Sequence, residues 1–237
     1  MCVAADPRMV NVAATFVAPG NSLLSTVPMN LPMASTTVSP SRLHRRWLAA
    51  DGGERRRLIV DTALNLLRRH GLERVTMRRV AERLGIGAMT LYTYVNGQHG
   101  LHQQMTRRGF EMLRDACRHA STLGTSLKWR GGARAYIQFA ADHPNLYKLM
   151  FDVQPNSHAD DDILRGGFQP LIDRVLSQMA DNGLTGDELH RRAHEAAARF
   201  WFALHGLTSL LIAGRTEFLE RDIDDLLDDL LAHVSPT

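Results

Sequence analysis

A chain of 237 residues, 44% hydrophobic and 22% charged, has the length for a buried core and the composition of a globular protein. No run approaches 18 uninterrupted apolar residues, which argues against a membrane-spanning helix. The two cysteines, Cys2 and Cys117, follow neither a disulfide pattern nor a metal-ligand spacing and predict a reducing, cytoplasmic setting. The net charge of +3 conceals an asymmetry: twelve arginines face five acids between Arg42 and Arg83, whereas seven acids face one arginine between Glu217 and Asp229. That pattern predicts a nucleic-acid face at one end and a solvated acidic tail at the other.

Residues 1–41 hold scattered Pro, Ser, Thr and small apolar residues, and Asp6, Pro7 and Arg8 interrupt the place where a secretory signal would build. They are expected to be a disordered extension, or upstream sequence ahead of a start at Met29 or Met33. Residues 42–57 read as an arginine-rich lead-in, with Arg42, Arg45 and Arg46 placed to act as an arm into the minor groove. A first helix then begins near Glu54. Its apolar residues Leu58, Ile59, Ala63, Leu66 and Leu67 recur at helical spacing, and Gly71 ends it. Thr76 stands at an N-cap position before Met77, Val80, Ala81 and Leu84, which share one face of a two-turn helix. Gly85-Ile86-Gly87 is a tight turn, Ala88 to Val95 a third helix ended by Asn96-Gly97, and residues 98–118 a fourth. After a loop over 121–130, helices are expected at roughly 130–142, 144–153, 160–181, 187–214 and 221–233. No segment alternates as a strand does, so the fold class is all-α. A three-helix helix-turn-helix domain (42–101) precedes a larger helical ligand-binding and dimerisation domain (102–237).

An apolar stripe, a tight turn and a second short helix suit the reading of a DNA major groove. With Leu91 as the inward reference of the third helix, Met89 and Thr93 point outward, flanked by Thr90 and Tyr92. These four can reach base edges, thymine methyls or phosphates, and small residues at Gly87 and Ala88 let the helix start approach the backbone. The surrounding arginines add salt-dependent affinity without sequence information. The plainer alternative is a helical core fragment with a basic exposed side.

The stretch 55–101 resembles the DNA-binding domain of the tetracycline-repressor (TetR) family of bacterial transcriptional regulators. The resemblance rests on Ala63, Leu67 and Gly71 at the first helix end, Val75-Thr76, Val80-Ala81, Leu84-Gly85-Ile86, Thr90-Leu91-Tyr92 and Leu101. It implies that Thr76, Tyr92, Tyr94 and Gln98 contact phosphates. Two positions depart from the family pattern: Tyr94 stands where histidine is usual, and Gln98 where a phosphate-holding lysine is usual. The second departure removes one charge-assisted contact.

The C-terminal part is aromatic where the first is charged. Tyr136, Phe139, Tyr147, Met150, Phe151, Phe168, Trp201 and Phe202 lie on expected helices, with His143 and His205 nearby. The segments 140–151 and 200–206 resemble a C-terminal subtype with a Trp…His-Gly signature, which implies a domain that dimerises and binds a hydrophobic or aromatic inducer. Tyr136, Phe139, His143, Tyr147, Met150, Phe168, Trp201 and His205 are the candidate ligand contacts, although aromatic residues at helical spacing are more often plain core. His190 and His194 at i, i+4 lack an evident third metal ligand and read as a solvated face. No cofactor motif is present. The dimer interface is expected from helices 160–181 and 190–213, through Ala193, Ala196, Ala197, Ala198, Trp201, Leu204, Leu207 and Leu211.

These features point to a regulator that binds a palindromic DNA operator as a homodimer and answers to a small-molecule inducer. A non-specific architectural DNA binder and an activator of the same fold are the alternatives. Nothing suggests an enzyme: there is no phosphate-cradling glycine loop, paired nucleophile and base, or metal cluster.

Overall fold

The arginine-rich lead-in is itself a helix. A computed structural model describes residues 40–122, 128–151, 185–215 and 222–232, with individual residues between 169 and 183, all within one compact unit. Helix α1 (Pro40–Ala49) opens with proline at its first position, where the missing N–H costs nothing. The expected extension therefore lies outside the described residues, apart from Pro40 and Ser41 in α1.

Helix α2 (Gly52–His70) starts at Asp51, whose carboxylate accepts the Glu54 N–H at 2.8 Å, and stops at Gly71, where φ is 76°. A 3-10 turn (Leu72–Arg74) leads into α3 (Met77–Leu84), whose N-cap is the Thr76 hydroxyl, accepting the Arg79 N–H at 3.3 Å. All four expected apolar positions of α3 are buried. Its end is closed by two bonds: Ile86 N–H reaches the Ala81 carbonyl at 3.1 Å and Gly85 N–H the Glu82 carbonyl at 3.2 Å, with Gly85 left-handed at φ 70°. This double closure needs a residue free to take positive φ, which is why glycine stands there.

Helix α4 (Ala88–Tyr92) is shorter than expected. Thr93 to Val95 continue as turns, held by Tyr94 and Val95 N–H groups bonded to the Leu91 carbonyl. Then come α5 (Gly97–Thr122), α6 (Lys128–Asp142), α7 (Pro144–Phe151), α8 (the helical residues described between 169 and 181), α9 (Gly186–Ile212) and α10 (Ile223–Ala232). Among the described residues there is no strand. The expected loop over 121–130 narrows, since Ser121 and Thr122 complete α5 and Lys128 opens α6.

Helix α1 lies across α3, and α2 packs on α3, α5 and α7. α5 pairs with α6 along its length, and α9 and α10 close on α6. At the α5–α6 crossing, a Cβ on Gly131 would stand 2.9 Å from the Ala120 carbonyl oxygen. Alanine in place of a helical glycine ordinarily gains about 1 kcal/mol. Here the sign should reverse: Gly131→Ala should lower the midpoint of urea unfolding, because backbone cannot swing aside.

This packing bears on two expectations. Two acids of the described part of the C-terminal stretch are paired, for Asp224 and Asp228 on α10 meet Arg130 and Arg134 on α6, with Arg130 to Asp228 at 3.1 Å, while Asp222, Asp225 and Asp229 stay exposed. Of the residues expected at the dimer interface, Ala198, Trp201, Leu207 and Leu211 on α9 are half-buried. Ala193, Ala196, Ala197, Phe200, Leu204 and Thr208 are buried within the subunit itself.

Candidate nucleic-acid interface and aromatic cluster

The third helix of the expected DNA-reading unit presents the ridge its spacing predicts. Leu91 is 0% exposed and Val95 is buried, which fixes the inward side. Met89 at 78% exposure, Tyr92 at 54% and Thr93 stand on the other side, at i, i+3 and i+4 of one face. Thr90 and Ala88 are half-buried at its margins, and Gly87 is exposed at the N-cap with extended backbone and no side-chain cap bond. The Thr93 hydroxyl donates to the Thr90 carbonyl at 2.7 Å, which holds its rotamer. An exposed methionine and tyrosine beside threonines offer apolar contact to thymine methyls and hydroxyls to phosphates. Thr76 is exposed at the start of α3.

Two residues that the resemblance assigns to phosphates have other partners. Tyr94 is half-buried; its hydroxyl accepts a hydrogen bond from Arg55 at 3.1 Å and its ring meets Trp47 edge-on at 5.3 Å. Gln98 turns inward, where its amide donates to the Val75 carbonyl at 2.6 Å and lies 2.7 Å from His102 Nε2. Gln98 thus ties the first turn of α5 to the segment before α3, work that a charged lysine head would do poorly.

Helix α1 supplies residues that the sequence reading left out. Trp47 is 5% exposed beneath the Arg55 guanidinium, 5.4 Å from its ring centroid. His44 Nδ1 lies 3.3 Å from the Leu84 carbonyl, and the His44 ring sits 3.1 Å from where a Gly85 Cβ would be. α1 therefore braces the turn between α3 and α4. The available signal was Pro40 as a helix start, with Leu43 and Trp47 at i, i+4. Arg42 and Arg45 remain exposed, and Arg46 pairs with Glu54 at 3.3 Å. Between α2 and α5 an open cleft of about 520 Å³ is lined by Arg56, Arg57, Arg107 and Arg108, with Asp61 and Glu111.

A second cluster forms on α6, α7 and α9. The Tyr147 hydroxyl lies 2.6 Å from His205 Nδ1, the Tyr136 hydroxyl 3.1 Å from the same nitrogen, and the two hydroxyls 3.0 Å apart. Rings enclose this triad. The His205 ring lies near-parallel to those of Tyr147 (5.5 Å, 22°) and Trp201 (5.2 Å, 28°), and Phe151 packs on it at a steep angle with centroids 4.7 Å apart. Burial, reinforced by Tyr147, holds the Tyr136 phenol far above its ordinary pKa, so it stays a neutral donor.

Four of the expected ligand contacts, Tyr136, Tyr147, Trp201 and His205, are thus brought together, and Phe151 joins them. Its signal was its place one turn beyond Tyr147. Three are placed elsewhere. Met150 packs against Gly109 of α5, while Phe139 packs on His143 at 5.0 Å, and His143 feels Arg68 at the end of α2. Phe168 lies outside the described residues. His190 and His194 are both exposed, His190 Nδ1 lies 3.0 Å from the Gly186 carbonyl, and no group of three potential metal ligands occurs among the described residues. No helix among them is long and apolar enough to cross a membrane.

Burial lowers the His143 pKa below its ordinary 6.5, with Arg68 adding to the shift and Asp142 opposing it. The unfolded chain then binds the proton more readily than the fold does. The contribution of His143 to stability is fully present above pH 6.5 and is lost as pH falls from 6.5 toward the depressed value. Urea unfolding at pH 7 and pH 5.5 should show this loss in the parent and a smaller one in His143→Gln.

Comparison with known proteins agrees with this geometry. Residues 59–95 match the family model described as bacterial regulatory proteins of the tetR family. Residues 129–234 match the tetracyclin repressor-like C-terminal domain, and together the two models span more than half of the chain. An uncharacterized HTH-type transcriptional regulator of Mycobacterium tuberculosis is 29% identical over 174 residues, 70% of this chain and 74% of that protein. The HTH-type transcriptional repressor DrrR1 of Streptomyces coeruleorubidus is 27% identical over 66% of this chain and 64% of its own length. Among solved structures, a tetR-family transcriptional regulator from Streptomyces coelicolor superposes with a TM-score of 0.58 at 17% identity, covering 77% of this chain and 79% of that one. A TetR-family regulator from Marinobacter aquaeolei does so at 0.56 and 14%, covering 78% and 97%. With its helix-turn-helix and helical C-terminal half in that order, this chain belongs to the tetracycline-repressor family of transcriptional regulators.

Proposed function

We propose that the protein is a cytoplasmic, homodimeric repressor that leaves a palindromic operator when a small aromatic inducer enters its C-terminal half. The observation that carries this reading is the exposed Met89–Tyr92–Thr93 ridge, standing on a helix anchored by the fully buried Leu91. A twofold pair of such ridges fits two major-groove half-sites one helical turn or more apart. Thr76, Gly87, Ala88 and Thr90 position the helix on the backbone, together with the arginines around them. A named repressor among its relatives supports the direction of control.

The dimer face is α9's outward side, where Phe202 is 65% exposed between Ala198 and Gly206 one turn to either side. A large ring left in water beside small residues suits close packing against a second copy. Phe202→Asp should turn a dimer into a monomer by sedimentation velocity and weaken operator binding at least tenfold. Helix α7 offers the link between the halves, for the Asn145 amide donates to the Leu67 carbonyl near the end of α2 at 3.2 Å. A ligand that prefers one position of α7 would bias the spacing of the two ridges.

Selection of bound fragments from random DNA tests the whole. A repressor yields an enriched palindrome that unrelated duplexes do not displace. Equal affinity for all sequences overturns this reading and leaves an architectural DNA binder.

A further inference from the structure

The cleft between α2 and α5 is polar on both walls. Gln104, Arg107, Arg108 and Glu111 recur at i, i+3, i+4 and i+7, so a single face of α5 carries all four to it. Arg56 and Arg57 line it from the second turn of α2. Four guanidiniums thus share about 520 Å³ with two carboxylates, those of Asp61 and Glu111, which leaves two positive charges in excess. Glu111 pairs with Arg108 at 3.1 Å, and among the described residues no carboxylate comes within ion-pair distance of Arg56, Arg57 or Arg107. Like charges gathered in one place cost free energy unless a counter-ion answers them. Guanidinium forks are suited to phosphoryl oxygens, which accept two parallel bonds from each. Both walls also hold the turn that ends α4. The Arg55 guanidinium, next to Arg56, donates to the Tyr94 hydroxyl at 3.1 Å, and the Gln104 amide donates to the Tyr94 carbonyl at 3.4 Å.

We propose that this cleft is an anion site for a small molecule bearing a diphosphate, and that its occupant lowers operator affinity. Two phosphoryl groups match two pairs of guanidiniums, Arg56 with Arg57 on one helix and Arg107 with Arg108 on the other. Phosphates of a DNA backbone carry the same chemistry, but a free molecule fits better. The guanidiniums line a concavity, and Asp61 and Glu111 beside them would repel a long row of phosphates, whereas a small group can turn its oxygens away from them. The bound group takes the Gln104 amide from the Tyr94 carbonyl and draws α2 toward α5. The turn after α4 is then held less firmly, and the Met89–Tyr92–Thr93 ridge with it. The site stands apart from the repressor reading, and its effect on DNA rests on that reading.

The test is calorimetric titration of the full chain, without DNA or divalent metal and at fixed ionic strength, with inorganic pyrophosphate and with orthophosphate. Pyrophosphate should bind saturably and at least about tenfold more tightly than orthophosphate. Arg57→Gln with Arg107→Gln removes one guanidinium from each wall, and because both side chains are exposed it should leave the melting temperature in place. The pair should weaken pyrophosphate at least about tenfold, as lost charge-assisted bonds require. Arg57→Lys with Arg107→Lys, which keeps the charge without the fork, should restore only part of that loss. On a selected operator at equal ionic strength, pyrophosphate should lower the affinity of the parent at least about threefold more than chloride does, and this response should vanish in the double glutamine variant. Equal affinity for pyrophosphate and orthophosphate overturns the proposal, as does no binding of pyrophosphate up to about 1 mM. A double variant that keeps its pyrophosphate affinity but loses operator affinity, with a flatter salt dependence, assigns the arginines to DNA phosphates and overturns it too. Pyrophosphate bound through these arginines by a chain that selects no palindrome leaves the site standing and removes the repressor reading. A selected palindrome with pyrophosphate inert does the reverse.

Discussion

Glutamate at both Met89 and Tyr92 should abolish operator binding while leaving the fold untouched. Each side chain stands largely in solvent on the ridge of α4, so neither substitution opens a cavity or strands a buried partner. Surface changes of that kind move stability by about 0.5 kcal/mol or less. For a chain of this size that is a shift of roughly 2 °C or less in melting temperature. Binding responds differently. A base-edge or backbone contact is worth about 1–3 kcal/mol, and a carboxylate placed against phosphates adds repulsion. Two such losses should weaken operator affinity by about a thousandfold at fixed salt, measured by fluorescence anisotropy on a selected operator. The pattern matters as much as the size. Met89→Ala alone should relax preference at one base pair, whereas Arg45→Ala should weaken all sequences alike and flatten the salt dependence. If the double variant still bound the operator within tenfold of the parent, α4 would not be the reading element.

The ridge was legible in the sequence because a short amphipathic helix has few ways to sit. Once Leu91 and Val95 are inside, Met89, Tyr92 and Thr93 must be outside, and Gly85 fixes the turn that sets the angle between α3 and α4. Roles that depend on partners distant in the chain were not legible. Nothing local distinguishes a Gln98 that reaches for phosphate from one that donates to Val75, 23 residues earlier. Tyr94 likewise belongs to Arg55 and Trp47, which only the docking of α1 and α2 brings near. The C-terminal half shows the same division. Tyr147 and Phe151, or Trp201 and His205, are paired by helical spacing alone, but their convergence needs α6, α7 and α9 to meet. Helical spacing on α9 was read correctly as an apolar face, and its residues divide between the subunit's interior and a half-buried side. Periodicity states that a face is covered without stating whether by the same subunit or another.

Removing the indole of Trp47 should cost about 3 kcal/mol, a large share of the 5–15 kcal/mol typical of a folded domain. Trp47 fastens α1 by three attachments, two of them to Arg55. Its ring meets Tyr94 edge-on, the Arg55 guanidinium lies over it, and its carbonyl accepts from Arg55 Nε at 3.3 Å. Trp47→Ala deletes the first two and leaves a void that Arg55 cannot fill without desolvating its charge. The consequence reaches the DNA-reading turn, because α1 also lays His44 against Gly85 and the Leu84 carbonyl. Melting temperature should fall by roughly 6–12 °C, at 2–4 °C per kcal/mol for a chain of this size. Amide exchange should separate two ways of failing. If α1 detaches alone, protection is lost over 42–50 and at Gly85 to Gly87 while the α5–α6 core keeps its protection, and operator affinity drops because Arg42 and Arg45 are no longer held against α3 and the turn that follows it. If the whole unit loosens, protection falls in α2 and α5 together. An unchanged melting temperature with full operator affinity would mean that α1 rests on the domain without bracing it.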